Sequence, residues 1–225
     1  MRENSISIWG DSIGKCIMFD ADRNRHVICR DSYETCLKQK GMEIKNYAVM
    51  GCTAPKGETL MTDERMRRGG LAVIEFGGND SDLDWKAVCD DPDREMYPAK
   101  VSIPDFKSAL RHMIHRARQA DMRPMLVTPL PVMAERYLNW ISRGLDKQRI
   151  LRYLGNAEYI YRWQERYDIA VREIAAETGV GIFDIRTRFL LEKHLEDAMS
   201  LDGIHPSAKG HQIIKDAVLQ QLALA

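Results

Sequence analysis

Apolar and polar positions alternate near the start of the chain. Ser5-Ile6-Ser7-Ile8-Trp9 has period two and a β-rich composition, and Gly10-Asp11-Ser12-Ile13-Gly14 breaks it sharply, so a strand running into a tight loop is predicted. Beyond it, Cys16 to Phe19 and His26 to Cys29 flank a polar stretch, Asp20 to Arg25, which reads equally as a hairpin or an irregular excursion. Asp31 or Ser32 can cap a helix through Lys40, with Gly41 as its stop, and Ile44 to Val49 resumes extended character. Gly57 to Arg68 has helical composition. Leu71 to Phe76 is then a nearly continuous apolar run, as expected of a central parallel strand buried on both faces.

From Asp80 to Pro104 the chain is acidic and broken by Pro92, Pro98 and Pro104, which predicts a long loop. Asp105 is the expected cap of a helix whose apolar face is Phe106, Leu110, Met113, Ile114 and Ala117; Pro124 to Val127 follows as a fourth strand. Met133 to Asn156 reads as a second excursion, and a long helix from Glu158 to Thr178 buries Trp163, Tyr167, Ala170, Val171 and Ile174. Val180 to Ile185 is a fifth strand, and Ser207 to Leu222 a last helix. Five short strands alternating with helices predict an α/β fold, because parallel strands need crossover connections and helices supply them. Ligands on such sheets bind at the carboxyl ends of the strands, which gathers Ser12, Gly51, Asn79, Thr128 and the loop around Asp202 on one rim.

A length of 225 residues, 44% hydrophobic and 29% charged, suits one large domain, residues 1–225, with insertions at about 80–104 and 133–157. Thirty-three basic residues balance thirty-three acidic ones, so no global field gathers phosphate backbones, and a nucleic-acid partner is not expected. The five cysteines form no CxxC pair and no disulfide-framework spacing, which points to reduced thiols. With no apolar run of about 18 residues, and Met1 to Asn4 leading straight into a strand, neither a membrane span nor a signal peptide is expected, and a cytoplasmic location follows.

Four blocks carry candidate chemistry: Gly10-Asp11-Ser12-Ile13 after the first strand, Gly51 after the second, Gly77-Gly78-Asn79-Asp80 after the third, and Asp202-Gly203-Ile204-His205 before the last helix. In this order they resemble the SGNH/GDSL hydrolases over nearly the whole chain, with Ile13 where the family name has leucine. The resemblance implies a three-layer α/β/α sandwich around a mostly parallel five-stranded sheet, flavodoxin-like in arrangement. It also implies Ser12 as nucleophile, Asp202 and His205 as the rest of a triad, and an oxyanion hole made of the Ser12 amide, Gly51 and Asn79. A serine hydroxyl is a poor nucleophile until an imidazole removes its proton, and a carboxylate three residues before the histidine can fold back to hold its tautomer.

Each block has a plainer reading. Gly-Asp-Ser is an ordinary turn, Gly-Gly-Asn-Asp likewise, and His205 before Pro206 could simply start a helix. Their coincidence on one rim favours the hydrolase. A P-loop fails because only three residues separate Gly10 from Gly14-Lys15 and Cys16 stands where Ser or Thr is required; GxGxxG and HExxH are absent from the sequence. His205 and His211 with Asp202 do not show clear metal-ligand spacing, so no metal and no cofactor is expected, and Cys52 reads as a structural thiol. The expected function is a serine esterase forming an acyl-enzyme on Ser12, acting on a small-molecule or carbohydrate ester such as an O-acetyl group. Acyltransferase, lysophospholipase and thioesterase chemistries use the same triad. Tyr137, Trp140, Tyr153, Tyr159, Tyr161 and Trp163 concentrate between Met133 and Trp163, where they either pack a helix pair over the sheet edge or line an acyl pocket.

Overall fold

In a computed structural model of the chain, residues 5–66 and 68–223 are described. Among the described residues seven strands form: β1 (Ser5–Gly10), β2 (Ile17–Asp20), β3 (Arg25–Ile28), β4 (Glu43–Asn46), β5 (Leu71–Glu75), β6 (Arg123–Val127) and β7 (Gly181–Phe183). Five make one sheet in the order β4-β1-β5-β6-β7, and each neighbouring pair is parallel. The chain steps outward from β1 to β4, then crosses back to β5 on the other side of β1. Strand order therefore reverses between β1 and β5, and the crevice this opens at the strand ends is where doubly wound sheets hold ligands.

The period-two pattern sorts side chains between two layers. Ala72 and Ile74 of β5 join Trp9 and Phe76 in a core under the helices Ile103–Gln119 and Glu158–Thr178. Leu71 and Val73 face the other way with Ile6 and Ile8, beneath the helices Tyr33–Gln39 and Ala208–Ala223. The apolar run of β5 is thus explained by burial on both faces, and the sandwich is three layers deep.

Element boundaries moved where caps outweighed composition. The helix expected over Gly57–Arg68 lies at Ala54–Leu60, with Thr53 before it and Pro55 in its first turn, a position where a missing N–H costs nothing. The helix expected to start at Asp105 starts at Ile103: Ser102 accepts from the Asp105 amide, and Pro104 sits in the first turn instead of breaking it. The acidic stretch after Asp80 is not all loop, since Trp85–Asp90 is a helix capped by Asp84. The second excursion holds two short helices, Ala134–Ile141 and Lys147–Leu154. The undecided segment is an antiparallel hairpin, β2 with β3, whose turn places Asn24 at φ 47°.

Gly57 sits inside a helix, where alanine is ordinarily the better residue by about 1 kcal/mol. Here a Cβ would fall 2.1 Å from Cζ of buried Phe76. Gly57→Ala is therefore expected to destabilise, by about 1–3 kcal/mol as overpacking does, read as a lowered midpoint in thermal or denaturant unfolding; a raised midpoint would show that the Phe76 ring can move aside.

Candidate active site

The loop after β1 is wound tightly. Lys15 N donates to Asp11 O, Cys16 N to Ile13 O and Ile17 N to Ser12 O, while the Asp11 side chain accepts from Ile13 N at 2.8 Å. Glu75, at the end of β5, reaches under this loop, and its Oε2 accepts from Asp11 N at 3.2 Å and Gly14 N at 3.0 Å. Gly10 is needed for that approach, since a Cβ there would lie 2.8 Å from Glu75 Oε2. Glu75 and Asp11 are both buried, and burial pushes both carboxyls upward, with the Asp11 charge adding to the effect on Glu75. Asp11 also accepts from Asn79 Nδ2 at 2.9 Å, which ties the loop after β1 to the loop after β5.

A second loop, before the helix Ala208–Ala223, folds back on itself. Met199 and Pro206 form a bridge, Ser200 N donates to His205 O, and Gly203 turns the chain at φ 78°. Asp202 Oδ1 accepts from the amides of Ile204 (3.2 Å) and His205 (3.0 Å), and its Oδ2 lies 2.7 Å from His205 Nδ1. Burial raises the Asp202 carboxyl, but the hydrogen bond and charge of His205 outweigh it and hold it at about 2. An ionised carboxylate only accepts, so His205 carries its hydrogen on Nδ1 and leaves Nε2 as an acceptor. That Nε2 lies 2.8 Å from Ser12 Oγ. Ser12, 193 positions before His205 in the chain, is brought into one line with His205 and Asp202, all three buried. Such a line can withdraw the hydroxyl proton as Oγ attacks a carbonyl.

Gly51 and Asn79 border the same cavity as Ser12 and His205, a space of about 240 Å³. Gly51 has φ 76°, a conformation that favours glycine. Of the six aromatics between Met133 and Trp163, Tyr137, Trp140, Tyr159 and Trp163 line the cavity, joined by Trp85. The other two pack elsewhere: the Tyr153 ring meets Tyr97 edge-on, and the Arg186 guanidinium lies over Tyr161.

His26 was missed in the sequence. It comes from β3, its Nε2 lies 3.0 Å from Asp202 Oδ2, and it borders the cavity. No spacing links it to the motif blocks, because the hairpin that delivers it could not be told from an irregular loop. His26, Asp202 and His205 place one ligand-type atom each within 4.8 Å of the others, and those atoms are engaged with one another or with Ser12. His211 stands apart from this trio: its Nε2 meets the Ile17 carbonyl at 3.1 Å, and burial lowers the imidazole to about 4. Cys52 is buried, which raises its thiol to about 11, far from the reactive thiolate range.

Residues 9–213 match the model of the GDSL-like lipase/acylhydrolase family. No curated protein matches the chain in sequence. Among solved structures, a lipase/acylhydrolase from Enterococcus faecalis superposes with a TM-score of 0.63 at 16% identity, covering 97% of this chain and 95% of that one. An acetylxylan esterase from Geobacillus stearothermophilus gives 0.62 at 18% identity over 97% and 94%. A psychrotrophic esterase from Pseudoalteromonas gives 0.60 at 15% over 99% and 98%. With the family match spanning nearly the whole chain, this protein belongs to the GDSL-like lipase/acylhydrolase family and is an SGNH-type serine hydrolase.

Proposed function

We propose that the protein hydrolyses a small-acyl ester, of the kind carried as O-acetyl groups on carbohydrate, through an acyl-enzyme on Ser12. The observation that carries the reading is the 2.8 Å approach of His205 Nε2 to Ser12 Oγ, with Asp202 on the far side of the ring. As Oγ bonds to the ester carbon, His205 takes its proton, and the carbonyl oxygen becomes an oxyanion held by the amides of Ser12 and Gly51 and by Asn79 Nδ2. That nitrogen has two hydrogens; the one given to Asp11 holds the amide in place and leaves the other for the oxyanion. The carbon–oxygen bond to the alcohol then breaks, and His205 returns the proton to the leaving oxygen. Water repeats the sequence in reverse roles and frees the acid and Ser12.

The substrate class rests on the cavity. About 240 Å³ is modest for a ligand pocket, with room for a short acyl group, and its indole and phenol rings offer flat surfaces to a sugar. The Geobacillus neighbour is named as an acetylxylan esterase. Buried free cysteines support action in a reducing cytoplasm.

Incubation with a fluorophosphonate followed by peptide mass mapping is expected to place the label on Ser12 and to lose it in His205→Ala, with esterase turnover falling on the order of 10⁴-fold or more in Ser12→Ala. Labelling elsewhere would refute the assignment. Asn79→Ala is expected to lower kcat by roughly 10²- to 10³-fold with a smaller change in KM, as loss of an oxyanion donor does; an effect on KM alone would remove Asn79 from that role. Across acetyl, butyryl and octanoyl esters of one alcohol, kcat/KM is expected to fall with chain length, and a preference for octanoyl would reject the small-acyl reading.

A further inference from the structure

The carboxylate of Asp202 serves two imidazoles. Its Oδ2 lies 2.7 Å from His205 Nδ1 and 3.0 Å from His26 Nε2, and the two rings are 4.7 Å apart centre to centre. Since an ionised carboxylate can only accept, His26 must carry its hydrogen on Nε2 and donate it. The donor is held from several sides. Phe19, paired with His26 across the hairpin, meets its ring edge-on at 5.3 Å, and Trp140 does so at 5.8 Å. The hairpin is itself fastened to the acid–base loop and the helix after it: Phe19 N donates to Ser200 Oγ at 3.2 Å, Ser200 Oγ donates to Pro206 O at 3.0 Å, and His211 Nε2 meets Ile17 O at 3.1 Å.

We propose that His26 is a positioning residue for the triad, donating to Asp202 Oδ2 so as to fix the carboxylate against His205 and to share the negative charge that would otherwise act on His205 alone. The proposal rests on the Ser12–His205–Asp202 reading and goes beyond the motif blocks, none of which includes the hairpin. Two consequences follow. With one donor gone, Asp202 keeps its two backbone amides and His205, and its Oδ2 has more freedom to swing, which misaligns the base. The charge left to His205 alone also favours its imidazolium, which cannot accept the serine proton. The groups facing His26 are Asp202 and His205 from the loop and Phe19 from its own hairpin. From the helix Ala134–Ile141 comes Trp140, over whose ring Arg143 lies at 3.8 Å.

The test is a pH profile of kcat and KM for a small soluble acetyl ester in the wild type, His26→Phe, His26→Gln and Ser12→Ala. His26→Phe keeps an aromatic ring against Phe19 and Trp140 but has no donor; His26→Gln puts an amide nitrogen near the place of Nε2. Expected for His26→Phe is a fall in kcat of about three- to tenfold, as for loss of one hydrogen bond, little change in KM, and an acid limb moved to higher pH by about half a unit. His26→Gln should recover most of both. A His26→Phe profile coincident with wild type, a change in KM alone, a fall in kcat with an unmoved acid limb, or a His26→Gln profile no better than His26→Phe would each overturn the proposal. Should His26→Phe lack a cooperative melting transition, His26→Asn, too short to reach Oδ2, replaces it in the same comparison. Turnover retained in Ser12→Ala would bring down the triad and this proposal with it, whereas an inactive Ser12→Ala beside coincident His26 profiles would sink this proposal alone.

Discussion

A carboxylate wholly shielded from water is costly unless its lone pairs meet donors, and Asp202, with 0% exposure, meets that demand on both oxygens. One oxygen takes two amides of its own loop and the other takes two imidazoles. From this the remaining geometry of the site follows. The ionised acid sets the His205 tautomer, the tautomer turns Nε2 to Ser12, and the amides that bind Oδ1 are those of residues 204 and 205, so the loop that carries His205 is shaped by the acid that orients its ring. Three residues suffice for the turn because Gly203 takes a backbone conformation that leaves no room for a side chain: a Cβ there would lie 2.6 Å from the Tyr137 amide nitrogen.

The sheet does the other half of the positioning. Because strand order reverses at β1 and β5, the loops that follow these two neighbouring strands open side by side, and they carry Ser12 and Asn79. Two buried acids join them: Glu75 accepts from the Asp11 and Gly14 amides, and Asp11 accepts from Asn79. A third, Asp80, accepts from the amides of Ala54 and Gly77, and burial raises it to about 7. Acids so placed brace the rim by collecting N–H groups from three strand-end loops. The helix pair of the second excursion then closes one side of the cavity with Tyr137 and Trp140, and the hairpin closes another with His26.

Much of this was legible in the residues. The alternation of β1 and the long helix over 158–178 each have one strong period, and the short apolar run of β5 is bounded by glycines on both sides. The motif blocks named Ser12, Asp202 and His205, and the structure brings them within hydrogen-bonding distance. Boundaries were harder: Pro104 reads as a breaker yet sits in a first turn, as Pro55 also does, where proline is welcome. The acidic stretch after Asp80 hid a helix for a different reason: its prolines, which read as breaking the whole stretch, lie beyond Asp90. His26 was illegible for a different reason: its partner lies 176 positions away, and neither the four-residue strand that carries it nor its composition announces a long-range contact.

The account stands on an ionised Asp202 accepting the Nδ1 hydrogen of His205. Proton NMR of the protein labelled with ¹⁵N in histidine reads that bond directly. A histidine-attached proton far downfield of the amide envelope, kept in Ser12→Ala and lost in Asp202→Asn, is the predicted result. A spectrum in which Asp202→Asn leaves every such proton where it was would mean that the acid does not hold His205, and the account would fall.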